Sequence, residues 1–222
     1  MSLLVRTWNV FHGNAAPPER RGFLREMVRL VTADDPDVVC LQEVPVWALK
    51  NLETWSGMQA VGAVARRPRL RSAELGGWIT EIHHGLLRSA LTGEAGAILV
   101  APRFAVDALR ASVVSHGGLR RIVHGLRLDG RVFVANFHIS GNPDQLRRVV
   151  ELVDAEPRAI VAGDANIPSA SLPGFSAPLA RSIDQIFVRG LPSSAPVAWP
   201  DDRRRVQGRL MSDHAPVEIR VG

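Results

Sequence analysis

Apolar residues fall in short runs along the whole chain, and each run ends in glycine, proline or a polar group. Leu3 to Trp8 reads as a strand. Behind Pro17-Pro18, the residues Phe23, Met27, Leu30 and Val31 recur at helical spacing, which predicts a helix opened by the two prolines. Asp37 to Glu43 reads as a buried strand, and Val46 to Leu52 suits a short helix. Further strands are predicted at Met58 to Ala65, Ala95 to Ala101, Ala105 to Val114, Arg121 to Leu128 and Arg131 to Phe137. Asp129-Gly130 joins the last two as a hairpin turn. Asn142-Pro143 caps a helix whose apolar side carries Leu146, Val149, Val150 and Val153. Arg158 to Ala162, Ile183 to Val188 and Ala215 to Val221 complete the strands. Arg66 to Glu94 shows little periodicity and is the least readable stretch. Hairpin strands with amphipathic helices imply an α/β protein with mixed sheets.

The chain has 222 residues, enough for one substantial core, and is read as a single domain over 1–222. No apolar run reaches the ~20 residues of a membrane span. The first strand begins at Leu3, where a secretory signal would have its cleavable region, so a cytoplasmic location is expected. The single cysteine, Cys40, excludes an internal disulfide and sits in an apolar run, as a buried inert thiol does. Lys and Arg number 27 against 22 acidic residues, and Lys50 is the only lysine. Arginine forks suit phosphate-rich substrates, although arginine-for-lysine usage also follows genome composition.

Chemistry concentrates at strand tips. Thr7-Trp8-Asn9, Leu41-Gln42-Glu43-Val44 and Gly163-Asp164-Ala165-Asn166 each bring a β-type run to an amide or carboxylate. Val132 to Phe137 runs into His138, Asp184 lies inside an apolar strand, and Ser212-Asp213-His214 precedes the last one. Rigid strands presenting polar tips at one rim are how a sheet builds a catalytic centre. Two carboxylates, two amides, two histidines and a supporting aspartate suit metal-assisted cleavage of a phosphoester. Such cleavage needs a held water, charge neutralisation and help for the leaving oxygen. Glu43, at the end of a buried strand, is the leading ligand for Mg2+ or Mn2+. Asp164 and Asn166 are aimed the same way by alternation, so that one can orient water while the other donates to a phosphoryl oxygen. A buried Asp184 needs a partner, an imidazole or an arginine.

Taken in order, these fragments resemble the endonuclease/exonuclease/phosphatase superfamily, with its deoxyribonuclease-I-like fold. The resemblance runs from Thr7 to His214 and implies a four-layer α/β sandwich, two mixed β-sheets packed face to face with helices outside. It implies a metal site of Glu43, Asn9 and Asp213, and a catalytic set of His138, Asp164, Asn166, Asp184 and His214. Asp184 would fix the tautomer of His214. Phosphate would be bound by Asn9, Asn166 and His138, with Arg204 added from the basic, aromatic-flanked loop Trp199 to Arg205. A solvated loop balanced by Asp201-Asp202 is the other reading of that loop, and Arg66-Arg67 and Arg120-Arg121 are equally open. Related nucleases hold the His138 equivalent with a glutamate, for which Glu74 is nearest by position, although it also suits a surface role. The chain has no tyrosine and continues Glu43 with Val44-Pro45, which separates it from the AP-endonuclease branch. His12, His83, His84, His116 and His124 read as surface or rim groups.

The resulting expectation is a divalent-metal-dependent phosphodiesterase or nuclease acting on DNA or RNA, monomeric by default. A phosphatase or phosphodiesterase for a small molecule or lipid headgroup is the alternative. A non-catalytic binding module is a third.

Overall fold

The structure is a computed structural model that describes residues 2–68, 92–115 and 119–222. Its first half contains β1 (Leu3–Asn9), β2 (Ala15–Ala16), α1 (Leu24–Thr32), β3 (Val38–Val44), α2 (Leu52–Ser56), β4 (Gln59–Arg66), β5 (Glu94–Val100) and β6 (Val106–Val113). The second half contains β7 (Ile122–Leu128), β8 (Val132–His138), α3 (Pro143–Val153), β9 (Ala159–Asp164) and β10 (Asp184–Arg189). It closes with β11 (Val197–Ala198), β12 (Arg205–Val206), β13 (Arg209–Met211) and β14 (Val217–Val221). Short 3-10 turns occupy Phe11–Gly13 and Val46–Asn51.

The strands form two mixed sheets of an α/β sandwich. One has the order β11-β14-β1-β3-β5-β4, the other β10-β9-β8-β7-β6, and β12-β13-β2 makes a small separate ribbon. β1 runs parallel to β3 and β8 to β9, while the other neighbours are antiparallel. The two ends of the chain meet in the first sheet, where Leu3 pairs with Val221 and Thr7 with Val217.

Alternation decides what each strand shows to each side. In β8, Val134 and Ile160 of β9 join the core between the sheets, whereas Phe133, Ala135, Phe137 and Val161 pack with Leu146, Val149 and Val153 of α3. Truncating one of these buried phenylalanines to alanine typically costs about 3–5 kcal/mol. The α3 helix starts as the sequence predicts: Asn142 Oδ1 accepts from the Asp144 backbone N–H at 2.9 Å, and Pro143 follows. On the far side, Arg6 reaches α1 by donating from Nη1 to the Val31 carbonyl at 2.8 Å.

Two local expectations change. The first helix begins at Leu24 rather than at the prolines, because residues 17–23 form a connection whose last N–H, that of Phe23, bonds to the Gly13 carbonyl. Residues 46–51 make a 3-10 turn, and the α-helical turn follows at 52–56. Cys40 is buried, and that burial pushes its thiol up. His124 was read as a surface group but is buried, because it alternates with Leu126 onto the inner face of β7. Burial lowers its pKa to about 4.

A polar clamp crosses the core just beneath one rim. Gln42 Nε2 donates to Thr7 Oγ1 at 2.9 Å and to Asn136 Oδ1 at 2.7 Å. Asn136 Nδ2 donates to the carbonyls of Leu41 and Ala97, at 2.8 and 3.0 Å. These bonds tie the two sheets in one register, since breaking any would leave a buried polar group unpaired. Among the described residues, no helix is long and apolar enough to cross a membrane.

Candidate active site

Above this clamp the inner-face rows end in charged groups. His138 pairs with Asp164 across β8 and β9, and Asp164 pairs with Asp184 across β9 and β10. The three therefore stand side by side at one end of the second sheet. Gly163 permits this row: at φ 156° it passes so close to β8 that a Cβ there would lie 1.9 Å from the Phe137 carbonyl oxygen.

Asn9, the last residue of β1, faces the row from the first sheet. Its Nδ2 donates to Asp164 Oδ2 at 3.0 Å and to Glu43 Oε1 at 3.2 Å. Glu43 arrives by a bulge. Gln42 already points inward, so strict alternation would send Glu43 to the other face. Instead Glu43 takes φ 54° and the β3–β5 pairing shifts register between Leu41 and Val44, which turns the carboxylate back to Asn9. Such a backbone at a non-glycine residue costs of order 1 kcal/mol or more and persists where the surroundings impose it.

Asp164 Oδ2 is the focus of the site. His138 Nε2 lies 3.5 Å from it and His214 Nε2 4.0 Å, so two imidazoles converge on one carboxylate oxygen. Behind each imidazole stands a second carboxylate. His214 Nδ1 is 2.9 Å from Asp184 Oδ2, and His138 Nδ1 is 3.0 Å from Glu94 Oε1. Burial alone would lower the pKa of His214, but the Asp184 hydrogen bond and the charges of Asp184, Asp164 and Asp213 raise it to about 9. Burial likewise works to raise Glu94, yet His138 and Arg121 outweigh it and bring Glu94 down to about 2. Arg121 Nη1 lies 2.5 Å from Glu94 Oε1 and 2.9 Å from His138 Nδ1.

The segment carrying His214 is fastened from several directions. Ser212 Oγ donates to the Asn9 carbonyl at 2.7 Å, and Trp8 Nε1 donates to the His214 carbonyl at 2.9 Å. Arg204 Nη1 donates to the carbonyls of Met211, Ser212 and His214, while Nε and Nη2 hold Asp201. Arg204 is thus a buried brace of the backbone behind His214, which corrects its reading as a phosphate-binding group. Arg203 is also committed, to Glu218 and Asp34, with its guanidinium 3.7 Å from the Trp199 ring centroid.

Asp213 and His214 lie on a bend between β13 and β14, so they do not leave a strand on opposite faces. Asp213 is half-exposed, with Oδ1 4.0 Å from His214 Nε2. Asn9 Oδ1 accepts from the Phe11 N–H at 3.0 Å, while its Nδ2 joins the two carboxylates. Asn166 does not continue an alternating strand. It turns at φ 50°, its N–H donates to Asp164 Oδ1 at 2.8 Å, and one amide N–H goes to the Ile139 carbonyl at 2.9 Å.

Sequence reasoning missed Glu94, left Arg121 open between phosphate binding and a solvated role, and placed His12 only as a rim group. Glu94 heads the apolar run of β5 as Glu43 nearly ends that of β3, a signal present in the sequence but unused. Glu74, His83, His84 and His116 lie outside the described residues. His12 Nε2 stands 3.3 Å from Glu43 Oε2, and burial lowers its pKa against the pull of Glu43.

The donor set suits a hard divalent cation. Glu43 and Asp164 supply oxygens held by one amide, and Asp184 Oδ1 is buried without a hydrogen-bond partner. Asp164, Asp184 and His214 also bring one donor atom each within 4.8 Å of one another.

The sequence matches the Endonuclease/Exonuclease/phosphatase family over residues 7–214. No curated protein matches it by sequence. Solved structures with the same fold include an endonuclease/exonuclease/phosphatase from Beutenbergia cavernae, 18% identical with a TM-score of 0.72, covering 99% of this chain and 71% of that one. A functionally unknown conserved protein from Enterococcus faecalis gives 17% identity and a TM-score of 0.71, covering 99% of each chain. Humanized D. rerio TDP2 gives 16% identity and a TM-score of 0.68, covering 100% of this chain and 99% of that one.

Proposed function

The chain belongs to the endonuclease/exonuclease/phosphatase family, whose members cleave phosphoester bonds, and from that premise we propose that it is a divalent-metal-dependent phosphodiesterase, with nucleic acid as its first substrate class. The observation that carries this reading is the convergence of two carboxylate-backed imidazoles on Asp164 Oδ2, at 3.5 and 4.0 Å. That arrangement would place an attacking water between groups able to stabilise charge on a phosphoryl group.

Glu43 and Asp164 would hold the cation, with Asp213 at the rim. When bound, it would supply Lewis-acid stabilisation of charge on a phosphoryl oxygen. The protein's own groups divide the remaining work. Asp164 accepts from and orients the attacking water through Oδ2, the oxygen steadied by Asn9. His214, with Nδ1 held by Asp184, presents Nε2 toward a phosphoryl oxygen. His138, with Nδ1 engaged by Glu94, presents Nε2 to the opposite side and assists the leaving oxygen. Asn166 offers its second amide N–H to the phosphate.

A small phosphoester is the second reading, favoured by the internal commitment of Arg203 and Arg204, which leaves that loop a weaker track for a polyanion. The test is nicking of supercoiled plasmid with Mg2+ or Mn2+, run beside bis(p-nitrophenyl) phosphate and p-nitrophenyl phosphate, with EDTA and Glu43→Gln as controls. Metal-dependent nicking lost in the variant supports the nuclease. Turnover of the small diester alone supports the second reading. No turnover of any substrate above the variant's background would overturn the catalytic assignment.

A further inference from the structure

The turn Phe11–Gly13 is unusual in its backbone. Phe11 and His12 both adopt left-handed angles, φ 44° and 52°, which side chains other than glycine take up only under constraint. The constraints are visible. The Phe11 N–H bonds to Asn9 Oδ1 at 3.0 Å, the Gly13 N–H to the Val10 carbonyl at 2.7 Å and the Asn14 N–H to the Phe11 carbonyl at 2.9 Å. Gly13 abuts α1 so closely that a Cβ there would meet the Leu24 Cβ at 2.8 Å.

The result of this winding is that an imidazole only 3% exposed is driven against Glu43. Its Nε2 stands 3.3 Å from Glu43 Oε2, while its Nδ1 is buried with no hydrogen-bond partner. A ring placed merely to fill space would be better apolar, since an unpaired buried nitrogen is destabilising. The separation of Nε2 from Oε2 is also informative. Two donors each about 2.1 Å from one cation, at right angles, lie about 3.0 Å apart.

We propose that His12 is a nitrogen ligand beside Glu43, so that the cation site is a mixed nitrogen–oxygen centre rather than an all-oxygen one. This rests on the reading of Glu43 as a metal-holding group. Its chemical consequence is selectivity. Imidazole raises affinity for later first-row divalent ions more than for Mg2+, so the site favours Mn2+ and Co2+ over Mg2+ beyond what its carboxylates alone would give.

The experiment is electron spin-echo envelope modulation on Mn2+ bound at less than one equivalent to the full chain, with affinities for Mn2+ and Mg2+ measured by calorimetry without substrate. The wild type is expected to show nitrogen modulation. His12→Gln and His12→Phe are expected to lose it, with the Mn2+-over-Mg2+ preference falling about tenfold. Two variants are used because one of them can fail to fold, which a thermal melt reports. Absence of nitrogen modulation in the wild type would overturn the proposal, leaving His12 as a neutral neighbour of Glu43. Modulation that persists in both variants would also overturn it and assign the nitrogen to another imidazole, such as His138, whose Nε2 is 3.8 Å from Glu43 Oε1. Glu43→Gln separates the two levels: unchanged Mn2+ affinity in that variant would remove the metal reading itself, whereas lost affinity with a nitrogen-free wild type removes only the role of His12.

Discussion

The two histidines that flank Asp164 are backed in the same way and yet carry opposite electrostatics. His214 rests on Asp184 alone, inside a ring of further carboxylates, and the charge imbalance is resolved on the imidazole, which is raised to about 9. His138 rests on Glu94, whose same oxygen also meets Arg121, and Glu94 is lowered to about 2. In the first pair burial also raises Asp184, whereas Glu94 is brought down chiefly by His138, with Arg121 adding to the effect. The comparison teaches that geometry alone does not assign acid and base roles. Burial and the surrounding charges at each pair do.

The comparison can be broken first at its stronger half. Asp184→Asn removes the anion that orients the His214 ring through Nδ1, and kcat is expected to fall by roughly 10²–10⁴ with KM little changed. Steady-state kinetics on whichever substrate the panel identifies would check this, and a loss under about fivefold would show that His214 does not depend on its partner. Glu94→Gln should cost less, about 10–100-fold, because Gln can still accept from His138 Nδ1.

The pairs should also stabilise the fold on opposite limbs of pH. A raised histidine contributes stability that is fully present below its unfolded pKa of 6.5 and is lost as pH rises through about 9. A lowered glutamate contributes stability that is present above its unfolded 4.5 and is lost as pH falls toward about 2. Metal-free urea unfolding should therefore show the wild type losing its advantage over His214→Gln on the alkaline side, and over Glu94→Gln on the acid side. Identical pH dependence in both variants would contradict the assignment. The smallest effect is expected from Arg121→Lys, which keeps the charge but not the fork. A loss within about tenfold, seen mainly in kcat, would sharpen the view that charge rather than bidentate geometry sets the Glu94 side.

Much of this centre was legible because strands write their faces into sequence with a period of two. Asp164 and Asp184 are the inner-facing ends of apolar runs, and His138 follows the same rule, so their convergence needs only that the strands pair. What escaped depends on contacts distant in the chain. Glu94 follows a stretch without periodicity, and its role exists only through His138 and Arg121. Arg204 reads as a substrate group from its basic neighbours, whereas three backbone carbonyls up to ten residues away consume it. Glu43 was found, but the bulge that aims it was not, since a positive φ at glutamate has no sequence signature. The start of the first helix was misplaced for a related reason: Pro17-Pro18 is an opening signal, yet the next residues carry no apolar side chain to bury until Phe23.

The pairing of Leu3 with Val221 has a consequence for biosynthesis. During translation β1 emerges well before its β14 neighbour and the His214 that precedes it, because the two strands lie far apart in sequence. Until then Asn9 and Glu43 have no imidazole opposite them from that side, and the edge of β1 awaiting β14 lacks its partner. The site is therefore assembled only once β14 closes onto β1, a long-range strand contact of the kind that forms slowly.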